Sequence, residues 1–94
     1  MPQRFQVHVS SHFRRDARKL LKQHPELANV LEQLRDVLQT DPYDRAREHD
    51  IRKLTGVGQG EGQWRIRVGD YRLRYDIIQR DVVLYSFRHR REAY

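Results

Sequence analysis

WRIRVGDYRLRY, residues 64–75, carries four arginines spaced evenly about a central Gly69-Asp70 pair. Glycine at the first central position suits a two-residue type II′ hairpin turn. Counting outward from that turn pairs Val68 with Tyr71, Ile66 with Leu73 and Trp64 with Tyr75 on one face. The other face then sets Arg67 against Arg72 and Arg65 against Arg74. A slip of one residue would bury arginines and expose tryptophan, so the register is well specified. Like charges placed directly opposite each other are unfavourable. Two readings account for them at this level. The arginine stems spread over the sheet with their heads in water, helped by Asp76 on the face of Arg72 and Arg74. Alternatively, the face is a cradle of guanidinium forks built to hold an anion such as phosphate.

Upstream of the hairpin, Phe5, Val7 and Val9 alternate with Gln6 and His8, the period of a half-buried strand. Ser10 and Ser11 suit a helix N-cap, and the spacing changes to Phe13, Ala17, Leu20 and Leu21, one face of a helix ending near His24-Pro25. Pro25 fits the first turn of a second helix, whose stripe is Leu27, Val30, Leu31, Leu34, Val37 and Leu38. Asp41-Pro42 ends it. Residues 43–62 contain Gly56, Gly58, Gly60 and Gly62 and read as an irregular mobile connection. No Gly-Lys-Ser/Thr follows, so it is not a phosphate-binding loop of that kind. Strands are expected over Gln63–Val68, Tyr71–Ile78 and Val82–Arg88. The order β-α-α-β-β-β predicts one α+β domain over residues 1–94, with a helical hairpin packed on a small, mainly antiparallel sheet.

The whole chain sets further bounds. Ninety-four residues suffice for one domain. There is no cysteine, which excludes disulfides, thiol nucleophiles and thiolate metal sites. His8, His12, His24 and His49 scatter over different elements, so no metal site is expected, and no cofactor motif stands out. No signal-peptide core and no run of eighteen apolar residues occur, so a soluble, cytoplasmic protein with no membrane partner is expected. Nineteen Lys and Arg against thirteen Asp and Glu give a net charge of +6, which points to a polyanionic partner. The ending SFRHRREAY adds Arg88, His89, Arg90, Arg91 and Tyr94 to the basic set. A basic cradle with histidine and tyrosine at its rim suits RNA, whose 2′-hydroxyl is a built-in nucleophile.

IRKLTG, a glycine-rich gap, WRIRVGDYRLRYDI and VVLYSFRHRREAY together resemble the RelE-type toxins of the RelE/ParE toxin–antitoxin superfamily. The resemblance covers nearly the whole chain. It implies a ribosome-dependent endoribonuclease, an mRNA interferase that cuts the codon in the decoding site by 2′-hydroxyl attack. It also implies a cognate antitoxin as partner, besides the ribosome and mRNA. Carried over by position, Arg65 and Arg67 match two basic residues of the strand before the turn. Arg72 matches an arginine that stabilises the transition-state phosphorane, Arg88 one assigned to that cluster and to leaving-group protonation, and Tyr94 the tyrosine that orients the substrate nucleotide. Arginine is a poor general base, so His89 becomes the candidate base. Arg74, Arg90, Arg91 and Lys53 are expected to contact RNA. Two alternatives share the fold: a ParE-like inhibitor of DNA gyrase, and a non-catalytic module that binds RNA or protein.

Overall fold

The computed structural model describes residues 4–91. Its elements are β1 (Gln6–Val9), α1 (Ser11–Gln23), α2 (Leu27–Thr40), β2 (Asp50–Lys53), β3 (Trp64–Val68), β4 (Tyr71–Ile78) and β5 (Asp81–His89). The strands form one sheet in the order β1-β5-β4-β3-β2. β1 runs parallel to β5, and every other pairing is antiparallel. Both helices pack against one face of the sheet. The expected α+β architecture is present, with one strand more than the sequence reading placed.

That strand, β2, falls inside the stretch read as irregular. Its four residues DIRK offer a single apolar side chain, Ile51, too little for a period-2 signal. Its partner creates it: Ile51 pairs with Ile66 and Arg52 with Arg65, and the Leu54 amide continues the ladder to the Gln63 carbonyl at 2.8 Å.

Local chemistry sets the helix ends. Ser10 is extended (φ −79°, ψ 162°), and its hydroxyl accepts from the Phe13 amide at 3.0 Å, which caps α1. Phe13, Ala17 and Leu20 of α1, and Leu27, Leu34 and Leu38 of α2, face the sheet residues Ile66, Leu73, Tyr75, Ile77, Val82, Leu84 and Phe87. Tyr75 is fully buried, and its hydroxyl donates to the Pro42 carbonyl at 2.7 Å, tying the end of α2 to the sheet. Burial pushes its phenol well above the ordinary range, with Asp44 and Asp41 adding to the effect. The phenol therefore stays a neutral donor. No helix of the described residues is long and apolar enough to cross a membrane.

The hairpin register is the one read from sequence, from Val68 opposite Tyr71 to Trp64 opposite Tyr75. Gly69 takes φ 55° while Asp70 has no positive φ, which distinguishes a II′ from a I′ turn. The glycine-rich segment beyond β2 is organised by one carboxylate. Asp76 accepts from the amides of Gly60, Gly62 and Gln63, all at 3.0 Å. Asp76 is 2 % exposed, and no arginine pairs with it, contrary to its expected neutralising role. Asp76→Asn would turn an NH2 toward one of these amides. It is expected to cost about 2 kcal/mol, since hydrogen bonds to a charged acceptor contribute roughly 1.5–3 kcal/mol each. Urea unfolding of the two proteins checks this.

Candidate functional site

Strand register places side chains of four adjacent strands in two rows on the face away from the helices. One row runs Asp50, Arg67, Arg72, Arg88, and the next runs Arg52, Arg65, Arg74, Ser86. Six arginines thus share these two rows with one carboxylate, Asp50, while Asp76 follows on the same face of β4 and Asp16 of α1 lies at the edge. Arg65 donates to Asp50 Oδ1 at 3.2 Å, and Arg67 Nε lies 3.5 Å from Asp50 Oδ2. Arg88 Nε lies 3.7 Å from Asp16 Oδ2. Arg72 donates to the carbonyls of Gly69 and Tyr71, both at 3.2 Å. Arg74 donates to the carbonyls of Gly62 and Glu61 at 3.0 and 2.7 Å. The opposed guanidiniums are thus held apart by fixed acceptors, and the patch keeps a surplus of positive charge.

Two of these arginines are buried: Arg65 and Arg72 are each 8 % exposed, and the Nε of each has no hydrogen-bond partner. An unsatisfied buried donor costs about 1–3 kcal/mol. A group of this kind calls for a specific cause, such as a catalytic role or a bound water or ion.

Beside the rows lies a concavity of about 170 Å³ lined by His12, Arg72, Arg74, Tyr85, Ser86 and Arg88. It is smaller than the roughly 300–1,000 Å³ of drug-sized ligand sites, and its chemistry suits a phosphate group. A β-bulge shapes it. Arg74 pairs with Ser86 and Tyr75 with Leu84, which leaves Tyr85 as an extra residue in β5. The bulge resets the alternation, so Leu84 and Phe87 both face the core while Tyr85 and Ser86 both line the concavity. The Tyr85 ring sits 5.6 Å from the Arg74 guanidinium. Gly62 closes in from above with φ 73°, and a Cβ there would meet Tyr85 Cδ2 at 2.8 Å and Arg74 Cβ at 2.9 Å. Only glycine fits this approach.

Of the residues singled out from sequence, the structure brings together Arg65, Arg67, Arg72, Arg74 and Arg88. His89 is not among them. It pairs with Tyr71 in the register, packs edge-on against that ring at 5.3 Å, and its Nδ1 accepts from the Arg91 amide at 3.2 Å. It shares the face of Tyr71, opposite the arginines, so its expected place beside them is corrected. Lys53 also lies across the sheet, paired with Trp64 and 6.0 Å from its ring. Arg90 lies at the hairpin end, 3.6 Å from Asp70, and Arg91 is exposed. Tyr94 lies outside the described residues. Sequence reasoning missed His12, Asp16, Tyr85 and Ser86. His12 and Asp16 stand four apart within one helix, a pairing visible in the sequence; the bulge that exposes Tyr85 is not. Among the described residues, no group of three or more His, Cys, Asp or Glu could hold a metal.

A family model described as the ParE toxin of the type II toxin–antitoxin system parDE matches residues 7–94, and the chain belongs to that family, within the RelE/ParE superfamily. Its fold is that of RelE-type toxins. The toxin–antitoxin complex RelBE2 from Mycobacterium tuberculosis matches at 27 % identity and a TM-score of 0.69, covering 92 % of this chain and 98 % of that one. The RelB–RelE antitoxin–toxin complex from Methanococcus jannaschii matches at 22 % identity and 0.70, covering 94 % and 95 %. The archaeal RelE–RelB complex from Pyrococcus horikoshii OT3 matches at 23 % and 0.63, covering 98 % and 99 %. None of the curated proteins matches.

Asp50 is the only carboxylate beside Arg65 and Arg67 in the described contacts. Asp50→Ala is expected to destabilise the protein by about 1–2 kcal/mol. That is less than the roughly 3–5 kcal/mol of breaking a fully buried pair, because the Asp50 side chain is 43 % exposed. The same variant should bind single-stranded RNA more tightly at low salt. Thermal melts and filter binding measure the two effects.

Proposed function

We propose that this toxin is an mRNA endoribonuclease that cuts codons in the ribosomal decoding site by attack of the 2′-hydroxyl on the adjacent phosphate. The observation that carries the reading is the convergence of Arg72, Arg74 and Arg88 on one phosphate-sized concavity. Arg65 and Arg67 extend the same positive surface toward the flanking backbone. Such a site works by positioning and by stabilising the charge that builds on the phosphorane, which preorganised guanidinium donors do best where water is excluded. Arg72 is fixed from behind by two backbone carbonyls, so it need not reorganise as the charge develops. Tyr94 remains part of the proposal as a residue that orients the nucleotide, and Arg90 and Arg91 as peripheral RNA contacts.

The partner that silences it is a cognate antitoxin. Three of the structures that share the fold are toxin–antitoxin complexes, which supports this assignment. The substrate partners are the ribosome and its mRNA, and the place of action is the cytoplasm.

A second reading rests on a specific observation: the matching family model is that of the ParE toxins. Under it the basic face binds DNA gyrase and cleaves nothing.

Two assays separate the readings. Wild type and Arg88→Ala are incubated with ribosomes stalled at a defined codon. Cutting at that codon with 2′,3′-cyclic phosphate ends is expected, with a loss of about 10²-fold in Arg88→Ala, the scale of removing one charge-stabilising donor. Arg88 is half-exposed, so the variant is expected to fold. An intact mRNA together with dose-dependent inhibition of gyrase supercoiling would select the second reading.

A further inference from the structure

We propose that His12 is the general base of this site and that Asp16 is its positioning residue; the assignment rests on the nuclease reading above. Arginine holds the phosphate but cannot take a proton from the 2′-hydroxyl at ordinary pH. His89 faces the other side of the sheet. The histidine that lines the concavity is His12.

Three features of the fold put it there. β1 pairs with β5 only as far as Leu84, so the edge of β5 from Tyr85 onward is open to α1. Ser10 caps α1 beside that edge and donates to the Tyr85 carbonyl at 3.3 Å, which places His12 in the first turn. Asp16, one turn on, accepts from the Phe87 amide at 3.1 Å and locks the helix to the strand.

The bulge then selects the tautomer. Tyr85 is the extra residue in β5, and its carbonyl is turned toward α1. His12 Nδ1 lies 3.0 Å from that oxygen. A carbonyl only accepts, so Nδ1 carries the hydrogen and the neutral ring keeps its lone pair on Nε2. The ring is held flat on Tyr85, with centroids 5.2 Å apart and planes 18° apart. Asp16 Oδ2 is 3.6 Å from Nδ1, placed to stabilise the imidazolium that forms on proton uptake. The charged and titratable groups facing the ring are Asp16 from its own helix, Arg72 and Arg74 from β4, and Arg88 and Tyr85 from β5.

The step follows. Nε2 takes the proton of the 2′-hydroxyl while its oxygen forms a bond to the adjacent phosphorus, whose non-bridging oxygens the arginines hold. The phosphorus–5′-oxygen bond breaks, and the 5′-oxygen leaves with the bonding pair and takes a proton from water. The imidazolium returns its proton to the resulting hydroxide. The products are a 2′,3′-cyclic phosphate and a 5′-hydroxyl.

The test is the pH dependence of single-turnover cleavage on stalled ribosomes for wild type, His12→Asn, Asp16→Asn and Arg88→Ala, with a melting curve for each. Asparagine keeps an N–H for the Tyr85 carbonyl; should it lower the melting point, His12→Gln replaces it. The wild-type rate is expected to fall on acidification. His12→Asn is expected to lose about 10²-fold or more and to lose that acid limb, within the range of general-base catalysis. Asp16→Asn is expected to shift the limb. Arg88→Ala is expected to lower the whole profile and still to show an acid limb. A folded His12 variant that cuts as fast as wild type, or keeps the acid limb, overturns the assignment while the nuclease reading stands. A wild type that cuts nothing overturns both.

Discussion

The pairing of β3 with β4 is the constraint on which the rest depends. Because side chains alternate with a strict period of two, a single register decides which residues make the core and which make the basic face. With Gly69-Asp70 at the turn, Ile66, Leu73 and Tyr75 go under the helices, and Arg65, Arg67, Arg72 and Arg74 go to the other side. The repulsion between opposed arginines is therefore a consequence of burying the apolar set. The fold contains it by giving each guanidinium an acceptor: the half-exposed Asp50 for Arg65 and Arg67, and backbone carbonyls for Arg72 and Arg74.

Much of this was legible beforehand. The stripes of the two helices, the Ser10 cap and the hairpin register all have strong local causes, and each was read where the structure has it. β2 was not legible, because four residues with one apolar side chain form a strand only through their partner. The loop after it also reads as shapeless glycine. Its order comes from Asp76, more than a dozen residues away in sequence, accepting three backbone amides.

The candidate site divides along the same line. The arginines of one hairpin are fixed relative to each other by local pairing, so sequence placed them correctly. Residues brought by β5 and α1 depend on a bulge, and a bulge shifts every side chain beyond it to the other face. That shift aligns Arg88 with Arg72 and puts His89 with Tyr71. Histidine beside arginine in the sequence was therefore a poor guide to histidine beside arginine in space. His12 reaches the basic face from a helix that otherwise serves the core.

The contact between α1 and the bulge also has a kinetic side. Ser10 and Tyr85 lie 75 residues apart in the chain, and β1 joins the sheet only through β5. Such long-range closure must wait until β5 is available, and parallel pairing of this kind forms slowly. The hairpin carrying Arg65 to Arg74 closes across two residues and needs no distant partner, so its pairing is the faster kind. The concavity also needs β5 and α1, which supply Tyr85, Ser86, Arg88 and His12. The concavity is therefore complete only when β5 has joined its neighbours on both sides.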